Sequence, residues 1–273
     1  MSDQYELVER LIDKLRAETL KRVDVRPRDK REPGRKEKEA AEAQMSLLLR
    51  RVWRKQQAKI AEWMERNYPE RKATLVPPEV WEDWEEWDEE DIADFILMLQ
   101  AARKKGIKLF REQVAIGIDY TAVNSRAAAA ARRYTYELID GINDTTLDVV
   151  RNAISMFVET PGLTIGDVVR SLPFDEERSL SIATTEITRA YADGQMEAGQ
   201  ELKEKYPDVA VVKQWFTNED DRVCVICGPL ADLDAVDLDY QYFEPDEYND
   251  GQKPPAHVNC RCWMNTSTKI TND

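Results

Sequence analysis

Two short stretches decide how this chain is organised: Cys224-Val-Ile-Cys227 and His257-Val-Asn-Cys260-Arg-Cys262. Each begins with two metal-ligating residue types separated by two others, and together they hold all four cysteines and the single histidine of the sequence. Two close ligand pairs joined by a longer loop are the usual construction of a structural zinc site, because a short spacer lets one turn aim both donor atoms at one ion. The sequence therefore predicts a zinc centre near its C-terminus.

Five side chains compete for the four positions of a tetrahedral ion. We predict that Cys224, Cys227, His257 and Cys260 bind it, because the His-x-x-Cys spacing mirrors the Cys-x-x-Cys spacing. Cys262 is the substitute ligand, since cysteines two apart on an extended segment point to opposite faces. The alternative is that the cysteines only pack in a core or form disulfides. With four protein ligands, zinc would keep no open position, which favours a role in stability over a role in catalysis.

The segments on either side of the centre resemble β-strands. Val209–Phe216 is rich in β-branched and aromatic residues, and Trp263–Ile270 is a second strand candidate. We therefore expect residues 207–273 to form a small α+β zinc-knuckle module.

Upstream of this module the sequence predicts a mainly α protein. Only 10 of 273 residues are glycine, and apolar residues recur at helical spacing. The expected helices cover residues 3–20, 37–67, 88–104 (ended by Gly106), 124–140, 144–159, a short one after Thr164, and 175–205. We divide the chain into an N-terminal helical region (1–105), a helical body (106–206) and the zinc module (207–273).

Charge restricts the partners. The chain has 53 acidic and 39 basic residues, for a net charge of -14, which is too acidic for general binding to duplex DNA. The exception is residues 21–38, with nine basic and four acidic residues, two prolines beyond residue 26 and one glycine. This segment is expected to be an exposed linker; the alternative is a contact with nucleic acid or an acidic partner. The absence of a secretory signal pattern and of a long apolar run predicts no membrane partner.

An acidic stretch carries three evenly spaced tryptophans. Trp81, Trp84 and Trp87 recur every third residue within residues 80–92, where eight of thirteen positions are acidic. On a helix they would share one broad face. They are either half-buried against a neighbouring helix or part of a docking surface, since tryptophan is enriched at interface hot spots.

Four segments of the C-terminal part together resemble the phage head-morphogenesis family, the minor head proteins similar to Mu protein F. In chain order, these are Ile182-Ala-Thr-Thr-Glu-Ile-Thr-Arg-Ala190, Lys213-Gln-Trp-Phe-Thr217, Asp221-Arg-Val-Cys-Val-Ile-Cys227 and Pro254-Pro-Ala-His-Val-Asn-Cys-Arg-Cys262. The resemblance extends over residues 174–270 and does not include residues 1–105.

This resemblance implies a low-copy protein of the bacteriophage virion, located inside the head near the portal and made in the cytoplasm of the bacterial host. Its partners would be the portal protein, the major capsid protein or both, with packaged DNA a further partner of residues 21–38. No enzymatic activity is expected. The alternatives are a zinc-supported nuclease, for which the acidic stretch Asp232–Asp250 would bind Mg²⁺, and a host adaptor protein. Glu186 and Arg189 are expected to form an ion pair within one helix, and the alternative for Glu186 is a catalytic role. Asp220 and Asp221, with Arg222, are expected to order the turn before Cys224 through backbone hydrogen bonds.

Overall fold

The computed structural model describes residues 28–68, 87–114, 120–160, 162–245 and 250–270. Helices dominate this part of the chain, as the sequence predicts. The predicted helix at residues 3–20 lies outside the described residues. The described helices are α1 (Arg35–Asn67), α2 (Glu89–Gln113), α3 (Tyr120–Glu159), α4 (Ile165–Ser171), α5 (Glu176–Lys205) and α6 (Cys227–Ala231).

A small antiparallel sheet confirms the predicted α+β character of the C-terminal part. Strand β1 (Val209–Phe216) lies between β2 (Val236–Asp237) and β3 (Trp263–Ile270). The β1–β3 pairing runs along the whole length of both strands, from Val209 opposite Ile270 to Phe216 opposite Trp263. The first cysteine loop follows Phe216, and the second ends directly before Trp263. The pairing of these two residues therefore holds one end of each loop in place.

The chain divides into two compact units, each made of segments distant in sequence. The first contains Ser46–Ile92 and Tyr136–Ser179, and the second contains Asp24–Met45, Ala93–Thr135 and Leu180–Asp273. The predicted division at residues 105 and 206 follows the order of the chain and stays a prediction. The core of the second unit gathers apolar side chains of α2, α3, α5 and the sheet: Ile107, Phe110, Val114, Val123, Ala127, Ala192, Met196, Ala198, Leu202, Val211, Leu238 and Met264.

Gly106 does not end a helix, which corrects the prediction for α2. The helix continues to Gln113, and a Cβ atom on Gly106 would lie 2.1 Å from the carbonyl oxygen of Tyr191 in α5. A Cβ atom on Gly194 of α5 would likewise lie 2.1 Å from the carbonyl oxygen of Arg103. The two glycines therefore allow α2 and α5 to cross with their backbones in contact.

The predicted break between residues 140 and 144 is also wrong, since α3 is continuous from Tyr120 to Glu159. The polar residues at this point do not cap a new helix. Instead Thr145 and Thr146 donate their hydroxyl hydrogens to the carbonyl oxygens of Gly141 and Ile142 one turn earlier. Hydroxyls that bond back in this way are compatible with a helix interior.

The helix boundaries further along agree with the sequence. Helix α3 ends directly before Thr160. Thr164 caps α4 through a capping box with Asp167, and α5 begins after Asp175, whose side chain accepts a hydrogen bond from the N–H of Arg178.

The basic segment is not an exposed linker over its described part. Arg28, Glu32 and Lys38 are each less than 5 % exposed. The Arg28 guanidinium contacts Glu32 at 3.0 Å and donates from Nε to Glu42 at 2.7 Å, while the Lys38 ammonium contacts Glu32 at 2.5 Å. Because acidic residues of the same segment and of α1 neutralise these cations, the segment folds into the second unit.

Trp87 is buried, which favours the packing interpretation for this one tryptophan. It is 6 % exposed, and its indole nitrogen donates to Asn143 Oδ1 at 3.2 Å. Trp81 and Trp84 lie outside the described residues. Among the helices that are described, none has an apolar stretch long enough to cross a bilayer.

Candidate metal centre

The first donor loop is a tight turn that leads into α6. The N–H of Arg222 donates to Asp220 Oδ1 at 3.1 Å, the N–H of Val223 to the Asp220 carbonyl at 3.2 Å, and the N–H of Gly228 to the Cys224 carbonyl at 3.1 Å. Asp220 thus orders the turn, as its position in the sequence predicts. The turn brings Cys224 and Cys227 to the same side.

The backbone of this turn favours a thiolate at Cys224. Burial disfavours ionisation, but the N–H of Cys227 lies 3.3 Å from the sulfur, and together with the N–H of Ile226 it lowers the pKa of the Cys224 thiol. Backbone N–H groups that point at a sulfur stabilise its charged form. A thiolate is also the form in which cysteine binds a metal.

The second donor loop is anchored to helix α5. Asn259 has a positive φ of 63°, and its N–H donates to Thr185 Oγ1 at 2.7 Å. The Thr188 hydroxyl contacts the Cys260 carbonyl at 3.5 Å, and Arg28 in turn donates to that hydroxyl at 2.5 Å. A chain of hydrogen bonds therefore joins the buried basic segment, helix α5 and the loop that carries His257 and Cys260.

The geometry of His257 suits a metal ligand. Its Nδ1 lies 2.8 Å from the Val258 carbonyl, which can only accept a hydrogen bond, so Nδ1 carries the proton. The lone pair of Nε2 then faces the sulfurs, at 3.2 Å from Cys224 and 3.3 Å from Cys227. A backbone acceptor on the far ring nitrogen is the usual support of a metal-binding histidine.

Three separations among the donor atoms are close to those around one tetrahedral ion. With Zn–S bonds of about 2.3 Å and Zn–N bonds of about 2.0 Å, two sulfurs lie about 3.8 Å apart, and a sulfur and a nitrogen about 3.5 Å apart. The Cys227 and Cys260 sulfurs are 3.8 Å apart, and the sulfur–nitrogen distances given above are close to the second value. All four cysteines are free thiols, and 3.8 Å is far from the ~2.05 Å of a disulfide.

Cys262 joins the cluster, which corrects the argument that placed it on the opposite face from Cys260. The sulfurs of Cys227, Cys260 and Cys262 all lie within 4.8 Å of one another, as do the donor atoms of Cys224, Cys227 and His257. The alternation of an extended strand does not apply, because β3 begins only at Trp263 and the chain turns at Asn259. Cys227 is common to both groups, and the four predicted ligands Cys224, Cys227, His257 and Cys260 do not all lie within this distance of one another. Whether Cys260 or Cys262 supplies the fourth ligand stays a prediction.

The cluster attracts positive charge. Contacts with the Cys227 and Cys262 thiols lower the pKa of Cys260 well below the usual value, whereas contacts with the Cys260 and Cys262 sulfurs raise the pKa of Cys227. Burial disfavours a charge on His257, but the sulfurs of Cys260 and Cys224 raise its pKa. A bound cation would neutralise several thiolates at once. Without a cation, the sulfurs avoid mutual repulsion only by staying protonated.

A small apolar core packs against the cluster. Cys227 and Cys260 are at most 2 % exposed and lie in a small core with Trp215 and Leu230. The Tyr242 ring packs edge-on against Trp215, with a centroid distance of 5.2 Å. Arg261, between Cys260 and Cys262, contacts Asp220 at 2.9 Å and thereby ties the second donor loop to the first.

Glu186 and Arg189 form the predicted ion pair, in which Glu186 is buried and Arg189 is half-buried. The Arg189 Nε lies 3.3 Å from Glu186 Oε2, and Glu186 is 5 % exposed. The Tyr134 hydroxyl donates to the same oxygen at 2.7 Å. Burial raises the pKa of Glu186, and Arg189 and Tyr134 oppose this effect. Oε2 of this carboxylate is thus held by two side chains of the protein, which fits a structural role.

The acidic stretch Asp232–Asp250 forms no second candidate centre among its described members. Asp239 pairs with Lys203, and Asp250 pairs with Lys253. Within the described residues, only the two Cys/His groups bring three metal-ligating side chains together. The sequence did not indicate the hydrogen-bonded supports Thr185 and Thr188, since their role depends on α5 packing beside the second donor loop.

Comparison of the chain with protein-family models, with curated proteins and with solved structures found no match.

Proposed function

We propose that this protein is a minor head protein of a tailed bacteriophage, associated with the portal and acting in head assembly, genome packaging or genome delivery. It would reside inside the head near the portal and, during assembly, in the host cytoplasm. The portal protein, the major capsid protein or both would be its partners. The proposal starts from the sequence resemblance described above.

One structural observation supports it most: the four segments that carry the resemblance form one assembly. Thr185 and Thr188, in the helical segment, contact Asn259 and Cys260 in the last segment. Trp215 of the strand segment lies in the same small core as the cysteines. Segments up to 80 residues apart in the sequence therefore contact one another in the fold. Short motifs that matched by chance would have no reason to lie together.

We further propose that the centre binds zinc and that its role is structural. Three thiolates and one imidazole are a donor set typical of tetrahedral Zn²⁺. Four protein ligands would leave no position for water, so the metal would stabilise the two polar loops instead of activating a nucleophile. The expected role is to hold a surface in shape for contacts with other proteins.

The basic segment has a reduced role in this proposal. Arg28 and Lys38 pair with carboxylates in the interior, whereas Lys30 and Lys36 are exposed. A contact with packaged DNA would therefore use the exposed lysines together with the basic residues at 21–27, which lie outside the described residues. Such a contact would weaken steeply with added salt.

The function is tested in heads produced from a phage genome that carries this gene. Quantitative mass spectrometry of purified heads should find a few copies per particle, and deletion of the gene should lower the yield of infectious particles. Purified particles that lack the protein but are fully infectious would contradict the proposal.

The nuclease alternative is tested separately. Purified full-length protein, with zinc present, is incubated with plasmid DNA and Mg²⁺ and compared with Glu186→Ala. We expect no cleavage by either protein. Cleavage by the unmodified chain that disappears in Glu186→Ala would replace the structural role with a catalytic one.

A further inference from the structure

The residues just before α1 contact helix α5 at the point where α5 supports the second donor loop. Arg28 Nη2 donates to Thr188 Oγ1 at 2.5 Å, and this hydroxyl lies 3.5 Å from the Cys260 carbonyl oxygen. An arginine can only donate, whereas a threonine hydroxyl has one hydrogen and two lone pairs. The contact with Arg28 therefore leaves the Thr188 hydrogen for the Cys260 carbonyl. We call residues 28–32 the docking segment.

The backbone at Cys260 is held by α5 at two points. The N–H of Asn259 donates to Thr185 Oγ1 at 2.7 Å, and the Cys260 carbonyl faces Thr188, three residues further along the same helix. The short stretch between these two points carries the Cys260 side chain, so the two contacts fix the direction in which its sulfur points. Because Arg28 holds the Thr188 hydroxyl, it acts on this sulfur through one intermediate side chain.

The docking segment also reaches the first donor loop. Arg31 Nη1 lies 2.9 Å from Glu219, which directly precedes Asp220. Asp220 orders the first donor turn and pairs with Arg261 of the second donor loop at 2.9 Å. The segment thus contacts residues that adjoin both loops. Because the side chains of Arg31 and Glu219 are more than half exposed, this ion pair contributes little by itself.

Charge balance makes docking of the segment cooperative. Arg28 and Lys38 are buried with Glu32 and Glu42, so that two cations face two carboxylates. Removing one member of a buried ion pair is costly, because it leaves the other charge without compensation. The Lys38 ammonium also lies over the Tyr191 ring of α5, 4.7 Å from its centroid. We therefore expect the charge cluster to dock on α5, or to be released from it, as a unit.

We propose that metal binding at the Cys/His centre is coupled to docking of this segment, with Arg28 acting as a positioning residue for Cys260 through Thr188. The docked segment would raise the affinity for the metal, and the metal would stabilise docking to the same extent, since such coupling is reciprocal. Loss of the metal would favour release of the segment and expose its cations, which is the state that the composition of residues 21–38 predicts. The inference rests on the proposed metal binding but not on the proposed role in the phage head.

Hydrogen exchange of the full-length protein, followed by mass spectrometry, tests the effect of the metal on the segment. Zinc-loaded protein is compared with protein from which a chelator has removed the zinc. We expect peptides that cover residues 28–38 to exchange about fivefold faster, or more, without zinc, whereas peptides of the first-unit core around Ile154 should keep their rates. Equal rates at residues 28–38 in both samples would overturn the inference, and so would faster exchange in both regions.

Zinc affinity, measured by competition with a chelator, tests the reverse direction. Thr188→Val removes the intermediate hydroxyl and keeps the shape of the side chain, so it should weaken zinc binding about fivefold. Its matched control is Thr135→Val, because Thr135 is also buried and donates its hydroxyl hydrogen to Ala131 of its own helix. Arg28→Met should weaken zinc binding to a similar extent. Arg35→Met, which removes a cation paired within α1, should leave zinc binding unchanged.

The double variant Arg28→Met/Thr188→Val distinguishes this coupling from general destabilisation. If Arg28 acts through Thr188, the double variant should bind zinc about as tightly as either single variant, because the second substitution removes nothing further. Losses that multiply in the double variant would overturn the inference and leave the metal centre in place. A full-length chain that binds no zinc would overturn the inference and the metal centre together.

Discussion

The helical core of the first unit and the Cys/His module stabilise the protein in different ways. The helical core consists of eleven buried side chains from α1, α3, α4 and their flanks: Ile60, Met64, Tyr68, Leu147, Val150, Ala153, Ile154, Phe157, Leu163, Val168 and Leu172. The small core around the Cys/His cluster of the module has only five buried members, Trp215, Leu230 and three cysteines. Stability in the first case is spread over many contacts, whereas in the second it depends on a few atoms around one point. The two regions should therefore respond very differently to single substitutions and to loss of metal.

The largest effect is expected for Cys227→Ser, because Cys227 belongs to both donor groups. Metal binding is part of the folding free energy of such modules and contributes on the order of 10 kcal/mol in small zinc domains. The variant should lose its zinc, and hydrogen exchange should show the two donor loops unprotected while the core of the first unit keeps its protection. Equal loss of hydrogen-exchange protection in both regions would show that the core of the first unit also depends on the metal.

The second prediction compares the effects of Cys260 and Cys262 on zinc affinity. Cys260→Ser should lower zinc affinity by orders of magnitude, since it removes a thiolate 3.8 Å from the Cys227 sulfur. Cys262→Ser should retain most of the metal. Competition with a chelator of known zinc affinity measures both. A greater loss in Cys262→Ser would mean that Cys262 is the fourth ligand.

The third prediction concerns the helical core. Phe157 is 2 % exposed and packs edge-on against Tyr68, with a centroid distance of 5.8 Å. Phe157→Ala should reduce the free energy of unfolding by about 3–5 kcal/mol, as large-to-small core substitutions do, with the zinc content unchanged. Denaturant unfolding measures the change, and Phe157→Leu, which keeps most of the volume, is the control. Zinc loss in Phe157→Ala would contradict the independence of the two regions.

The smallest effect is expected at Lys213 of β1. Its side chain is buried, its Nζ has no hydrogen-bond partner, and burial lowers its pKa to about 8 from the ordinary value of 10.5. The unfolded chain therefore binds more protons than the folded one between about pH 8 and 10.5, so stability should rise with pH across this range. Lys213→Met should be somewhat more stable than the unmodified chain at pH 7 and should lack this rise. The exposed Lys269→Met is the control, and an unchanged pH profile in Lys213→Met would refute the assignment.

The sequence predicted the elements whose signals are local. The apolar spacing of α1, the Thr164–Asp167 capping box and the β-branched run of β1 depend on neighbouring residues, and all three are confirmed. The five candidate donors were also found from their spacing alone.

The failures come from contacts between segments distant in sequence. Gly106 resembled a helix end because the contact that requires a glycine there is not visible in the sequence. This contact is with the backbone of Tyr191 in α5, 85 residues further along. The basic segment resembled a linker because its carboxylate partners and Thr188 come together only in the folded chain. The error at Cys262 is instead local, because the chain turns at Asn259 and the extended strand begins only at Trp263.

X-ray absorption spectroscopy at the zinc edge tests the central claim most directly. Full-length protein, purified without chelator, should contain one zinc per chain, with three sulfur ligands at about 2.3 Å and one nitrogen ligand at about 2.0 Å. Protein that contains no zinc, or a first shell made only of oxygen and nitrogen, would contradict the account of the Cys/His cluster as a metal centre.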